Sequence, residues 1–218
     1  MTDLLWTRPD DARVTLLLAH GAGAPMDSAF MTRVAEGLAA RAIAVARFEF
    51  GYMAKRRTTG KKYPPTKAER LVPEFRTAIE AALAAPERVG PLLIGGKSMG
   101  GRVAAIAADE ALDPAVAGVV CLGYPFHGPG RPGEVRLDPL QKGRLPVLIA
   151  QGERDEFGSR AEVESLDVGP ARFVWIEDGS HDFGPRGASA ATLKGNVAAA
   201  CDAVAAFALA LGAETVAP

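Results

Sequence analysis

The sequence predicts an α/β fold: a doubly wound, mostly parallel sheet with helices on both faces and no helical lid domain. Three observations carry this. Short apolar runs alternate with longer segments of helical period from one end of the chain to the other, the pattern of strand–helix units wound around a parallel sheet. The apolar runs are continuous rather than alternating, as strands covered on both faces require. The chain has 218 residues, which suits one domain, 1–218, better than two.

Strands are expected at Val14–Ala19, Ala44–Phe50, Pro91–Gly95, Val116–Gly123, Val147–Gln151 and Arg172–Glu177, all β-branched or Leu-rich runs. Helices are expected at Ser28–Arg41, which opens on the capping pair Asp27-Ser28, and at Thr66–Ala84, Gly100–Leu112, Ser159–Leu166 and Ala190–Leu211. Two stretches break the rhythm and read as loops. Gly51 to Thr66 is long and basic, and Tyr124 to Pro146 is rich in Gly and Pro.

Apolar residues make up 48% of the chain and charged ones 23%, enough to bury a sizeable core, but aromatics are only 6%, so Ala, Val and Leu must fill it. Lys and Arg number 25 against 26 Asp and Glu, a net charge of −1. That balance gives no electrostatic reason to expect nucleic acid or an anionic membrane as partner. The N-terminal Met-Thr-Asp-Leu-Leu-Trp has no basic flank, and Val14–Ala19 is too short for a signal-peptide core. The most apolar segment, Ala198–Leu211, contains Asp202 and is short for a bilayer span. Cys121 and Cys201 lie far apart in apolar surroundings and are expected as buried structural thiols. A cytoplasmic protein is the expectation.

In a doubly wound sheet, ligands bind beyond the carboxyl ends of the strands. There the run Gly95-Gly96-Lys97-Ser98-Met99-Gly100-Gly101 joins a strand to a helix and carries the G-x-S-x-G pattern. So sharp a turn needs small residues two positions either side of the serine, and Gly96 and Gly100 meet that need. The Ser98 hydroxyl then stands at a helix N-terminus, where the dipole favours developing negative charge. A serine hydroxyl is a weak nucleophile unless a base takes its proton, and the base needs an acid to fix its tautomer.

Both partners follow in the order serine, acid, histidine. After Val147–Gln151 comes Glu153-Arg154-Asp155-Glu156, and after Arg172–Glu177 comes Asp178-Gly179-Ser180-His181-Asp182. His181 is the expected base, because it follows the last strand, whereas His20 lies near the start and His127 in the Gly/Pro-rich loop. Asp155 is the expected acid, although spacing alone does not separate it from Glu153 and Glu156. Asp178 and Asp182 sit too near His181 in the chain to orient it. An oxyanion hole needs two convergent backbone N–H groups. Met99 should supply one and the loop His20-Gly21-Ala22-Gly23-Ala24-Pro25 the other, from Ala22 or alternatively Gly23.

Five blocks, in order, carry a resemblance: His20-Gly21-Ala22-Gly23-Ala24-Pro25-Met26-Asp27-Ser28, Phe48-Glu49-Phe50-Gly51-Tyr52-Met53, Gly96-Lys97-Ser98-Met99-Gly100-Gly101-Arg102, Gly123-Tyr124-Pro125-Phe126-His127 and Gln151-Gly152-Glu153-Arg154-Asp155-Glu156-Phe157-Gly158. The chain resembles α/β hydrolases over nearly its whole length. More narrowly, it is similar to a family related to dienelactone hydrolases whose eukaryotic members include a subunit of the non-specific-lethal chromatin complex and a testis-expressed protein. Lys97 stands where similar sequences carry Arg, and Gly51 where Pro is common. Dienelactone hydrolases use a Cys nucleophile, so Ser98 argues against that lactone chemistry. The five blocks are specific for the family and not for a substrate; the Ser98, Asp155 and His181 arrangement is what points to a serine hydrolase of the carboxylesterase type. The chromatin relatives keep open a non-catalytic interaction module, and transfer to an acceptor other than water keeps open an acyltransferase or thioesterase.

Tyr124 to Pro146 is too short for a helical lid, which leaves an open site suited to a small ester or an exposed acyl group. Lys97, Tyr124 and His127, with Gly23, are the expected substrate-lining residues. The run Lys55-Arg56-Arg57-Thr58-Thr59-Gly60-Lys61-Lys62 holds five cations and either overhangs the site, attracting anionic substrates, or is a solvated charge run. No metal is expected, since the three histidines lack ligand spacing, and no cofactor. Gly96-Lys97-Ser98 imitates the end of a phosphate-binding loop, but the glycine required ahead of it, with four residues intervening, is absent.

Overall fold

The computed structural model describes residues 3–216. Its strands are β1 (Leu5–Thr7), β2 (Val14–Ala19), β3 (Ile43–Phe48), β4 (Leu92–Lys97), β5 (Val116–Leu122), β6 (Val147–Gly152) and β7 (Arg172–Ile176). They form one sheet in the order β1-β3-β2-β4-β5-β6-β7. All neighbouring pairs are parallel except β1 with β3. Helices α1 (Ala29–Ala39), α2 (Gly51–Thr59), α3 (Ala68–Ala84), α4 (Met99–Ala107), α5 (Asp138–Lys142), α6 (Arg160–Val163) and α7 (Leu193–Val216) complete the chain.

The pleat of each strand divides the core into two layers. In β2, Leu17 and Ala19 pack with α3 and α4, whereas Val14, Leu16 and Leu18 pack with α1 and α7. β2, β3, β4 and β6 are buried throughout, which is why their sequences read as continuous apolar runs. The expected doubly wound architecture is the one observed. Among the described residues nothing larger than the five-residue α5 is inserted between β5 and β6, so the fold has no helical lid.

Three readings are corrected. The stretch from Gly51 is not all loop: Gly51–Thr59 is helical. Its start is held by the Gly51 N–H donating to Glu74 Oε2 at 2.6 Å and its far side by Arg56 donating to the Tyr63 carbonyl, contacts from distant residues that local composition does not reveal. The Gly/Pro-rich interval likewise contains α5, begun by Pro139 in its first turn. The apolar C-terminal helix runs from Leu193 to Val216, and its Leu193–Ala213 part has the length and hydropathy of a membrane span. Val197, Ala200, Cys201, Val204, Phe207 and Ala208 of this helix are nevertheless buried against the sheet and α1. Strand β1 has no counterpart among the expected elements, because a three-residue edge strand carries too little pattern.

The chain leaves β2, forms β3 on one side of it, and then returns to place β4 on the other. The crevice of a doubly wound sheet opens at such a reversal. It brings the carboxyl ends of β2 and β4 together, with Ala19 paired to Gly96. The His20 loop therefore lies beside Ser98.

Candidate active site

Ser98 sits between β4 and α4 with φ 52° and ψ −116°, a backbone strain worth about 1–3 kcal/mol for a residue with a side chain. The surrounding fold enforces it. The Ser98 N–H donates to the Leu122 carbonyl at 2.9 Å, and the Ser98 carbonyl accepts from Arg102 at 3.1 Å. A side chain at Gly96 would lie 2.5 Å from the Gly100 carbonyl carbon and 2.7 Å from the Ala19 oxygen. The glycines flanking the serine are thus demanded by close backbone approach.

His181 lies in the turn after β7, and its Nδ1 is 2.8 Å from Asp155 Oδ2. Asp155, beyond β6, is almost fully buried. Its other oxygen accepts the Phe157 N–H at 2.8 Å. The ring of Phe157 meets His181 edge-on, with centroids 4.5 Å apart. Glu153, an open alternative for the acid, instead accepts from the Asp178 N–H and pairs with Arg160. Glu156 accepts the His181 backbone N–H at 3.3 Å, and its carboxylate has no hydrogen bond to the ring.

Ser98 and His181 line one cavity of about 500 Å³, together with Gly21, Ala22, Gly23, Ala24, Phe30, Lys97, Phe157 and Asp182 among others. The Gly21 carbonyl lies 2.6 Å from His20 Nδ1, and the Tyr52 hydroxyl donates to the Ala22 carbonyl at 3.1 Å. A trans peptide points its N–H opposite its carbonyl, so the N–H groups of Ala22 and Gly23 turn away from His20 and Tyr52. Among the described residues, the N–H groups of Ala22, Gly23 and Met99 have no hydrogen-bond partner. This loop geometry leaves Ala22 and Gly23 both available as donors.

Three expected features lie elsewhere. Tyr124 is fully buried, and its hydroxyl donates to the Arg136 carbonyl at 2.9 Å. His127 is also buried, with Nδ1 3.0 Å from the Gly128 carbonyl and Nε2 beside Glu162. Neither lines the Ser98 cavity: Tyr124 packs edge-on against Phe126, and His127 faces Glu162 of α6. The basic run is equally remote. Arg56 is bound to the Tyr63 carbonyl, Arg57 is paired with Asp27 and Glu49, and no residue from 55 to 62 reaches the cavity wall.

Other contributors were not singled out from sequence. Gln151 is fully buried at the end of β6. Its amide nitrogen lies 3.0 Å from Asp155 Oδ2 and 3.0 Å from the Gly158 carbonyl, and its amide oxygen accepts the Tyr124 N–H at 2.8 Å. A polar residue closing an apolar strand was the available signal. Gly123, with φ 68°, lies where a side chain would stand 3.2 Å from His181 Nδ1. Asp178 accepts from Arg154, Arg186 and the Arg186 N–H, which holds its carboxyl down at about 2 and ties the two ends of the His181 turn. Cys121 and Cys201, by contrast, are the buried free thiols expected from sequence, pushed up by burial to about 12 and about 11. Among the described residues no group of acidic, His and Cys side chains is placed to hold a metal.

Comparisons with known structures agree on the fold. Est1E from Butyrivibrio proteoclasticus is similar with TM-score 0.71 at 15% identity, covering 97% of this chain and 95% of that one. A dienelactone hydrolase from Anabaena variabilis matches with TM-score 0.66 at 22% identity, covering 96% and 89%. A serine hydrolase without a lid from Xanthomonas campestris matches with TM-score 0.66 at 20% identity, covering 95% and 89%. The family model described as an alpha/beta hydrolase domain matches residues 12–209. Sheet order, elbow and family match agree, and the chain belongs to the α/β hydrolase domain family.

Proposed function

We propose that this hydrolase is a serine carboxylic-ester hydrolase acting on small or exposed acyl esters through Ser98, His181 and Asp155. The observation that carries the reading is the 2.8 Å contact between His181 Nδ1 and Asp155 Oδ2, made by a histidine that shares its cavity with the strained Ser98. The carboxylate holds the proton on Nδ1 and leaves Nε2 free to act as base. Ser98 Oγ attacks the ester carbonyl while His181 takes the hydroxyl proton. The carbonyl oxygen becomes an oxyanion, received by the N–H groups of Met99 and of Ala22 or Gly23. Collapse expels the alcohol, which takes the proton from His181. A water then loses a proton to His181 and attacks the acyl-enzyme; collapse frees the acid and returns the proton to Ser98.

The lidless, open cavity supports small or exposed acyl groups over long buried chains. A fluorophosphonate probe tests the reading, since it phosphonylates only an activated serine. Wild type is expected to label and Ser98→Ala not to. An unlabelled but folded wild type would leave a non-catalytic module as the answer. In a series of p-nitrophenyl esters, preference for short acyl chains is expected, and a preference for long ones removes the open-site inference.

A further inference from the structure

The cavity beside Ser98 is mostly apolar, walled by Ala22, Ala24, Ala29, Phe30, Met31 and Phe157, yet it contains one cation among its lining residues. That cation is Lys97. Its side chain is 8% exposed, and its ammonium lies 5.5 Å from the centroid of the Phe30 ring and 3.2 Å from Asp182 Oδ1. The ion pair is lopsided. Lys97 is stripped of water, whereas the Asp182 side chain is 75% exposed on the rim.

We infer that Lys97 makes the Ser98 cavity select esters whose acyl chain ends in a carboxylate. The inference rests on the proposed hydrolase reading of the same site. A substrate carboxylate entering the cavity can take the place of Asp182 at the ammonium. Asp182 loses little, because water already reaches it and a half-solvated ion pair is weak. Lys97 gains an anion inside an apolar enclosure, where a charge-assisted hydrogen bond is stronger than at the surface. The other nearby carboxylates do not compete. Asp155 is held by His181, Gln151 and Phe157, and Glu156 by the His181 N–H. Burial lowers the Lys97 pKa from its ordinary value, and Asp182, Asp155 and Glu156 oppose that shift. The basic run does not supply this anion recognition, since Arg56 and Arg57 have their own partners and the run lies off the cavity.

The test compares two esters of matched length, the p-nitrophenyl monoester of adipic acid and p-nitrophenyl hexanoate, with uncatalysed rates subtracted. The readout is the ratio of their kcat/KM values in wild type, Lys97→Met, Lys97→Arg and Asp182→Asn. The ratio is expected to fall at least about tenfold in Lys97→Met, the worth of one charged hydrogen bond. Lys97→Arg should retain most of it, and Asp182→Asn should raise it several-fold by removing the competing anion. An unchanged ratio in Lys97→Met overturns the inference. Should that variant not fold, Asp182→Asn decides alone, and an unchanged or lower ratio there overturns it equally. If wild type labels with fluorophosphonate and cleaves the hexanoate while these ratios stay fixed, only the selectivity claim falls. If wild type neither labels nor cleaves either ester, the hydrolase reading falls and takes this one with it.

Discussion

The Gln151 amide nitrogen lies 3.0 Å from Asp155 Oδ2, the same oxygen that faces the His181 ring at 2.8 Å. Asp155 is therefore aimed from two sides, by Gln151 at the oxygen shared with His181 and by the Phe157 N–H at the other. Gln151 also reaches the Tyr124 backbone and the Gly158 carbonyl, so one buried amide joins the ends of β5 and β6 to the loop carrying Asp155.

Replacing Gln151 by Leu leaves buried polar groups without partners, which costs about 1–3 kcal/mol in stability. A loosened Asp155 misplaces His181, the proposed base, and displacement by ~1 Å costs on the order of a hundredfold in rate. Urea unfolding should show the first loss, and p-nitrophenyl ester hydrolysis should show kcat falling more than KM rises. A variant with reduced stability but unaltered kcat would show that Gln151 only holds the fold.

Asp155→Asn keeps the shape and removes the charge. The amide no longer favours the Nδ1–H tautomer, and kcat should fall by about 10⁴-fold with little change in KM. Fluorophosphonate labelling should slow in parallel. Equal activity in the variant would reassign the acid.

Gly96→Ala places a methyl against the backbone of Gly100, Gly101 and Ala19. Backbone cannot rotate aside as a long side chain can, so overpacking should cost about 1–3 kcal/mol. Denaturation midpoints and the labelling rate of Ser98 should drop together. A fully stable variant that labels normally would refute the close-approach argument for this glycine.

His20 is buried, and desolvation holds its pKa below the ordinary 6.5. Its Nε2 accepts the Phe50 N–H at 3.2 Å, so the proton sits on Nδ1 and is donated to the Gly21 carbonyl. As pH falls, the unfolded chain binds this proton first, and stability must decline with it. The contribution is complete above about pH 6.5 and is lost as pH falls through the lower folded value, at up to about 1.4 kcal/mol per pH unit. Urea unfolding from pH 8 to 5 should give a smaller slope for His20→Gln than for wild type, the other two histidines cancelling in the difference. Parallel slopes would show that His20 titrates normally.

The sequence alone determined the parallel strand–helix alternation, the Ser98 elbow, and the stations of Asp155 and His181 beyond β6 and β7. Each is encoded locally, as an apolar run two-sidedly buried, a spacing of glycines imposed by a sharp turn, or a polar residue just past a strand end. Tertiary structure decided what depends on distant partners. It chose Asp155 over Glu153 and Glu156 as the carboxylate facing the His181 ring, because only one side chain of that loop points there. It made a helix of Gly51–Thr59 through Glu74 and Tyr63, turned Tyr124 and His127 into the core, and set Lys97 against Asp182 at the mouth of the cavity. Side-chain direction and pairing across the sheet belong to the packed molecule, and no local pattern records them.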